Sequence, residues 1–179
     1  MSDTYEIENN AIDGEDEMGS LYHSNMQIKL GGLLDREERF FVATELSLDI
    51  SQHDLSKYDI GAKEELKPDV CAYLKRPVVP DGKNDLLKVS QMPDLVIEIL
   101  SPRQSVNYLI RKFKAYFEMG VRSCRFVNPE QGIISVYSKP NRWKNFGHED
   151  SEVIDEVMDI RLPIQKVFYW FFEDVQNTG

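Results

Sequence analysis

A glutamate inside an apolar strand is the residue of this sequence whose position most needs a chemical explanation. Residues 95–100 form a nearly continuous apolar run that only Glu98 interrupts. Side chains alternate between the two faces of a β-strand, so Glu98 shares its face with Val96 and Leu100. An ionised carboxylate is rarely buried alone, so a metal ion, a basic residue or a raised pKa must compensate it.

A second acid, Asp69, stands where a short strand is predicted to begin. It follows Pro68 and precedes the apolar residues 70–74, and the Pro-Asp pair at 93–94 has the same form. Two carboxylates that converge from adjacent strand ends would make an oxygen-rich site suited to Mg²⁺ or Mn²⁺. From spacing alone, a structural ion pair or a strand-end cap is the commoner explanation.

Basic residues gather after Glu98. Six of them stand between residues 103 and 125, namely Arg103, Arg111, Lys112, Lys114, Arg122 and Arg125. A solvated helix face is the ordinary explanation of such a cluster. At 100° per residue, Lys112 and Lys114 lie at opposite borders of the apolar stripe of the predicted helix. Either lysine could therefore lean back toward the sheet, and this geometry does not choose between them.

The elements that must position these side chains follow from hydrophobic periodicity and from turn residues. The predicted elements are a helix over 23–34, a strand over 40–50, a polar connection over 51–66, short strands at 70–74 and 95–100, a loop over 77–88, a helix from Ser101-Pro102 to Gly120, a hairpin of 124–127 with 133–137, a loop over 139–150 and an amphipathic helix over 164–175. This order predicts an α/β fold, in which a mixed sheet is flanked by helices.

Residues 92–102, with the sequence MPDLVIEILSP, resemble the signature of the Uma-type restriction endonuclease family, a branch of the PD-(D/E)xK nuclease superfamily. Further positions that resemble the family pattern are His23, Pro68, Asp69, Val70, Lys112, Tyr116, Gly120, Val121, Val127 and Pro129. The resemblance covers roughly residues 20–175 and implies a restriction-endonuclease-like PD-(D/E)xK core.

The resemblance also implies an active site. Asp69 and Glu98 would be catalytic metal ligands. The standard motif places a lysine two residues after the glutamate, where this chain has Leu100. In the family that lysine lies on the following helix, which selects Lys112 over Lys114. Arg103 and Lys114 are then predicted to contact the substrate.

Three positions depart from the family pattern. The chain has Tyr108 where an aspartate often precedes the helical lysine, and it has Arg125 and Asn128 where an aromatic residue and an aspartate are usual. These departures leave the three predicted site residues intact, and they bear on substrate choice.

The implied function is a metal-dependent endonuclease that uses Mg²⁺ or Mn²⁺ to hydrolyse phosphodiester bonds in DNA. The alternative is a catalytically inactive nuclease-like module that binds nucleic acid or protein. Glu6, His23 and Glu45 are candidate additional site members, and His23 is also explained as a helix-start cap or a core histidine. The aromatic residues 168–172 would support either a homodimer or packing of the last helix on the sheet.

Charge and cysteine content limit the class of protein. The formal net charge is −10, but seven acids and no bases fall in residues 1–20, and residues 21–148 carry a formal +3. An acidic segment at 1–20 followed by a single domain over 21–179 is therefore compatible with a polyanionic ligand. No segment is apolar enough to span a membrane and no secretory signal is visible, which predicts a cytoplasmic protein. Cys71 and Cys124 are predicted to be buried, reduced thiols.

Overall fold

A mixed β-sheet with helices on both faces forms the centre of the protein, for which a computed structural model describes residues 19–173. Its helices are α1 (Leu21–Asp35), α2 (Val106–Glu118), α3 (Ile164–Val167) and α4 (Trp170–Glu173), with a 3₁₀ turn at Ser56–Tyr58. Its strands are β1 (Phe41–Thr44), β2 (Leu48–Asp49), β3 (Glu65–Leu66), β4 (Val70–Tyr73), β5 (Leu95–Ile99), β6 (Ser123–Asn128), β7 (Ile133–Lys139), β8 (Arg142–Phe146), β9 (Glu152–Asp155) and β10 (Ile160–Pro163). The predicted fold class is confirmed.

Within the described residues, the central sheet has six strands in the order β1-β4-β5-β6-β7-β8. β5 and β6 run parallel, and the other neighbouring strands are antiparallel. Parallel neighbours need a crossover connection, and α2 provides it between β5 and β6. The chain therefore leaves the end of β5 and enters α2 directly above the sheet.

Each face of the sheet buries its own apolar cluster. One cluster joins α1, α3 and the β9–β10 hairpin, and the other joins α2, the β2–β3 pair and the 3₁₀ turn. Alternate residues of β5 divide between the two clusters, with Leu95, Ile97 and Ile99 in the first and Val96 in the second. Glu98 therefore belongs to the face covered by α2, as the alternation of side chains predicted.

Helix α2 begins later than predicted. Residues 101–104 form a turn closed by the bond from Gln104 N to Ser101 O at 3.1 Å, and the helix starts at Val106 after the N-cap position Ser105. Its predicted end is confirmed. Gly120 has a φ of +98°, which suits a glycine that terminates a helix.

The predicted strand over residues 40–50 is two strands. Glu45 has a φ of +49°, a left-handed conformation that breaks the extended backbone between β1 and β2. The amide of Glu45 still donates to the carbonyl of Asp69 at 3.3 Å, so the bend remains attached to the start of β4. The apolar residues that suggested one strand are buried at its two ends, Phe40 before the bend and Leu48 and Ile50 after it, whereas β1 itself has no buried residue.

Two further segments differ from prediction. The segment 139–150 contains β8, which pairs with β7 at the sheet edge; the exposed side chains of this strand gave it no alternating pattern. The helix predicted over 164–175 is interrupted at Phe168, which is fully buried between the four-residue helices α3 and α4. Burial of the aromatic side chains outweighs continuous helical hydrogen bonding in so short a segment.

Both cysteines are free and buried, as predicted. In the part of the chain that the structure describes, no helix is long and apolar enough to cross a membrane. Glu6 with most of the acidic segment 1–20, and residues 174–179, lie outside the described residues.

Candidate active site

Two elements, α1 and β5, hold Asp69 at the start of β4. His23, on α1, places its Nε2 3.0 Å from Asp69 Oδ1. The backbone N–H of Ile99, at the end of β5, donates to Asp69 Oδ2 at 2.6 Å. Gln27, one helical turn after His23, donates to the backbone carbonyl of Asp69 at 3.0 Å and to Glu45 Oε1 at 3.2 Å. Asp69 is therefore held in one orientation by contacts distant in sequence.

Glu98 and Lys112 form an ion pair in the interior between β5 and α2. Lys112 Nζ lies 2.7 Å from Glu98 Oε1, and the two side chains are 5% and 2% exposed. The hydroxyl of Tyr116 donates to the same Oε1 atom at 2.9 Å. Neither contact uses Oε2. Lys112 and Tyr116 are one turn apart on α2, so both reach the same oxygen from one helix face.

Burial shows which of the two helical lysines leans toward the sheet. Lys112 lies with Leu109, Phe113 and Tyr116 on the buried side of α2, whereas Lys114 is exposed. Lys112 Nζ also lies 5.9 Å from the ring centre of Tyr108. A buried ammonium group needs a compensating charge, and Glu98 supplies it.

The ionisation of this pair is shifted by its surroundings. Burial raises the pKa of Glu98 to about 7, with Lys112 acting against the rise and Asp69 adding to it. Burial opposes the charge on Lys112, but the Glu98 carboxylate outweighs it and raises the pKa of that lysine. Hydrogen bonding to Asp69 raises the pKa of His23 against the opposing effect of burial. The site thus concentrates charged groups whose pKa values are perturbed, as functional sites commonly do.

A cavity of about 160 Å³ opens onto these groups. Its lining residues are Gly19, His23, Glu45, Lys67, Asp69, Glu98, Ser101, Gln104 and Lys112. The three predicted catalytic residues therefore meet at one cavity, together with His23 and Glu45, the two other candidates that lie in the described part of the chain. The cavity is polar and carries both signs of charge.

Residues 5–165 match the model of the Uma2 family, which is described as "Putative restriction endonuclease". The chain belongs to the Uma2 family. It is also similar in fold to the crystal structure of a putative nuclease belonging to DUF820 from Anabaena variabilis ATCC 29413, with a TM-score of 0.68 and 18% sequence identity over 84% of this chain and 82% of that chain. Among curated proteins, no match is found.

The predicted substrate contacts of this Uma2 protein lie outside the cavity lining. Arg103 is exposed in the turn between β5 and α2, next to the lining residues Ser101 and Gln104. Lys114 is exposed on α2, on a different side of the helix from Lys112. Contact of either residue with a substrate stays a prediction.

Two of the departures from the Uma2 family pattern have structural roles away from the cavity. Arg125 is buried on β6, where its Nη2 lies 3.1 Å from Asp155 Oδ2 and fastens the β9 strand to the sheet. Asn128 Oδ1 accepts a hydrogen bond from Gln131 N at 3.2 Å and closes the turn between β6 and β7.

Several lining or supporting residues were not singled out from the sequence as site members. Gln104 and Lys67 carry no motif that distinguishes them, and Ser101 lies within the signature 92–102 without any feature that marks it as a site residue, because proximity to the cavity depends on the fold. Tyr116 could have been found, since a polar aromatic hydroxyl one turn after Lys112 on the apolar face of a helix must find a buried partner. That partner is Glu98.

The carboxylates of this Uma2 site fit a divalent cation that takes its remaining ligands from water and from a substrate. Among residues 19–173, no group of three or more His, Cys, Asp or Glu side chains is arranged to hold a metal ion. Asp69 and Glu98 still provide two hard carboxylates to one cavity, and the charge of Asp69 helps to raise the pKa of Glu98. Mg²⁺ is commonly held by one or two carboxylates, with water and phosphate oxygens as its other ligands. A cation there would offset the repulsion between the two acids.

Proposed function

We propose that the protein is a metal-dependent endonuclease that hydrolyses phosphodiester bonds in DNA. The observation that carries this proposal is the meeting of Asp69, Glu98 and Lys112 at one cavity, with Lys112 held in the interior by Glu98 at 2.7 Å. Membership of the Uma2 family and the nuclease-like fold support it.

A purely structural ion pair explains this arrangement less well. Replacing a buried ion pair with apolar residues is often neutral or stabilising, so such pairs are poor devices for stability alone. Asp69 also raises the pKa of Glu98, so this one cavity gathers two acids together with the cationic partners His23 and Lys112. The cavity therefore favours a function that uses the charges.

Each residue has a distinct part in the proposed reaction. Mg²⁺ or Mn²⁺, held by Asp69 and Glu98, would supply a Lewis acid that acidifies water and neutralises charge on phosphate oxygens. Lys112 supplies a fixed positive charge where negative charge develops on the phosphate. Tyr116 and Lys112 hold Glu98 by its Oε1 atom, and His23 orients Asp69 through its Oδ1 atom.

DNA is the proposed substrate because the central part of the chain is not acidic. Residues 21–148 carry a formal +3 despite the net charge of −10 for the whole chain. Basic side chains neutralise phosphates and make binding depend on salt. Arg103 beside the cavity and Lys114 on the outer surface of α2 are the proposed contacts to flanking phosphates.

The test is cleavage of supercoiled, linear and single-stranded DNA in Mg²⁺, Mn²⁺ or EDTA. Wild-type protein is compared with Glu98→Gln and with Glu130→Gln, which changes an exposed glutamate in the β6–β7 turn. We expect cleavage that requires metal, a loss of about 100-fold or more in Glu98→Gln, and wild-type rates in Glu130→Gln. Equal cleavage in EDTA would contradict the metal requirement. No cleavage by folded protein with any substrate would favour the binding-module alternative, in which DNA is held without metal.

A homodimer is a separate proposal that receives little support from the aromatic segment. Phe168 is fully buried in the core of its own chain, and the neighbouring Trp170, Phe171 and Phe172 pack against that core. Among residues 168–172, only Tyr169 is exposed, with 38% of its surface accessible to solvent. Size-exclusion chromatography with light scattering decides the matter, and a strict monomer at high concentration removes this proposal.

A further inference from the structure

Two buried polar atoms in the cavity wall have no hydrogen-bond partner in the described part of the chain. They are the hydroxyl Oγ of Ser101 and the ring nitrogen Nδ1 of His23. The two residues are 6% and 8% exposed, and both line the cavity shared by Asp69 and Glu98. Most buried polar side-chain atoms are satisfied, and leaving one unsatisfied is unfavourable by about 1–3 kcal/mol. The cavity is therefore built to receive a ligand with polar atoms.

Two hydrogen bonds with Gln104 hold the backbone of Ser101 in place. Ser101 lies two residues after the end of β5, in the turn that leads to α2. Its N–H donates to Gln104 Oε1 at 3.3 Å, and its carbonyl accepts from Gln104 N at 3.1 Å. Both backbone groups of Ser101 are thus satisfied within the turn, and the hydroxyl alone remains for another partner.

The charges around the cavity indicate what that partner is. Lys67 and Lys112 bring two cationic side chains to the lining, so an anionic oxygen would be stabilised there. Asp69, Glu98 and Glu45 oppose a bare anion, and a divalent cation would offset them. A tetrahedral oxyanion that shares its oxygens between a cation and a hydroxyl donor satisfies both sets of groups.

We propose that the hydroxyl of Ser101 donates a hydrogen bond to a non-bridging oxygen of the phosphate group held in this cavity. This inference rests on the proposed nuclease function and names a substrate-binding residue for it. This hydrogen bond replaces one between the phosphate and water. The phosphate oxygen that accepts it lies at the side of the cavity formed by the turn before α2.

Thermal unfolding separates this role from a structural one. Ser101→Ala removes a hydroxyl that has no described protein partner, so the melting temperature stays level or rises. Ser123→Ala is the matched control, because Ser123 is also buried but donates to Asp155 Oδ2 at 2.6 Å. We expect Ser123→Ala to lower the melting temperature by about 2–4 °C.

Binding is measured by NMR titration of ¹⁵N-labelled protein with magnesium sulfate and, in parallel, with magnesium chloride. Sulfate stands in for the phosphate group and stays soluble with Mg²⁺. We expect sulfate-specific, saturable shifts of the amides of residues 100–104 in the wild-type protein and in Ser123→Ala. In Ser101→Ala the dissociation constant for sulfate rises about tenfold, as for loss of a hydrogen bond to a charged group.

The chloride series tests the cation site by itself, so the two proposals fail separately. If magnesium chloride shifts the amide signals and sulfate adds no further shifts, the metal site is supported and the role of Ser101 is overturned. Absence of shifts with magnesium chloride counts against the metal site. A titration with sodium sulfate, compared with one with sodium chloride, then tests sulfate binding without Mg²⁺. Equal sulfate affinity in wild type and Ser101→Ala, or a loss of thermal stability in Ser101→Ala as large as in Ser123→Ala, overturns the inference.

Discussion

Lys112→Met gives a stability change whose size depends on pH. The substitution removes the ammonium group 2.7 Å from Glu98 Oε1 and retains a long apolar side chain in the same place. Glu98 then remains buried with Asp69 as a charged neighbour and without its cationic partner. Removing one member of a buried ion pair is unfavourable by about 3–5 kcal/mol because the other charge is left uncompensated.

The magnitude follows from the pKa of Glu98. In the wild-type protein the pKa rises from 4.5 to about 7, so the folded state binds the proton more tightly than the unfolded state. The rise corresponds to about 3 kcal/mol, which is present below pH 4.5 and lost as the pH increases through 7. Lys112 lowers this pKa, so in Lys112→Met the value rises further and stability continues to fall above pH 7.

The assay is urea unfolding in EDTA at pH 5.5, 7.0 and 8.5, for wild type, Lys112→Met and the double variant Glu98→Gln/Lys112→Met. At pH 8.5 we expect Lys112→Met to lose about 3–5 kcal/mol in the free energy of unfolding. At pH 5.5 Glu98 is protonated in both proteins, and the loss is about 1 kcal/mol. The double variant removes both charges and stays within about 2 kcal/mol of wild type at each pH.

A loss in Lys112→Met that is the same at all three pH values would refute this reasoning, because the pH-dependent part comes only from Glu98. A double variant as unstable as Lys112→Met would refute it as well, since it would show that packing and not charge is responsible. Urea slopes must agree among the variants for the comparison to hold.

Three further predictions follow from other contacts. Asp155→Ala leaves the buried Arg125 without its carboxylate and should lower the free energy of unfolding by about 3–5 kcal/mol in urea unfolding, and a loss under 1 kcal/mol would contradict the pairing. Gly132→Ala should lower the melting temperature, since Gly132 has a φ of +63° and an added Cβ would lie 2.8 Å from Phe171; an unchanged melting curve would show that the turn relaxes. Calorimetric Mn²⁺ affinity should fall about tenfold per pH unit below 7, because Glu98, the proposed ligand, must lose its proton to bind the cation. A constant affinity from pH 5.5 to 7.5 would remove Glu98 as a ligand.

The site was partly predictable because some of its geometry is local. Alternation along β5 places Glu98 on one face whatever the strand packs against, and an isolated acid on that face must be compensated. The helical repeat likewise limits the compensating lysine to Lys112 or Lys114. Burial of one side of α2 then separates the two, and that burial is a property of the assembled sheet and helix.

Short or exposed elements escaped prediction for a physical reason. Strands of two to four residues, such as β3 and β9, span too few alternations to be distinguished from loops. The edge strand β8 is exposed along nearly its whole length, so its residues were not selected for one buried face. The bend at Glu45 carries a hydrogen bond to Asp69, which lies far away in sequence.

The sequence by itself determined the class of the fold, the face that carries Glu98, the end of α2 at Gly120 and the resemblance to a nuclease family. These depend on periods of two and 3.6 residues and on the conformational freedom of glycine, which act over a few neighbouring residues. Only the tertiary structure decided that His23 and the N–H of Ile99 hold Asp69, and that Ser101 lines the same cavity. Those contacts join α1, β4, β5 and the turn before α2, and no local period encodes how distant segments meet.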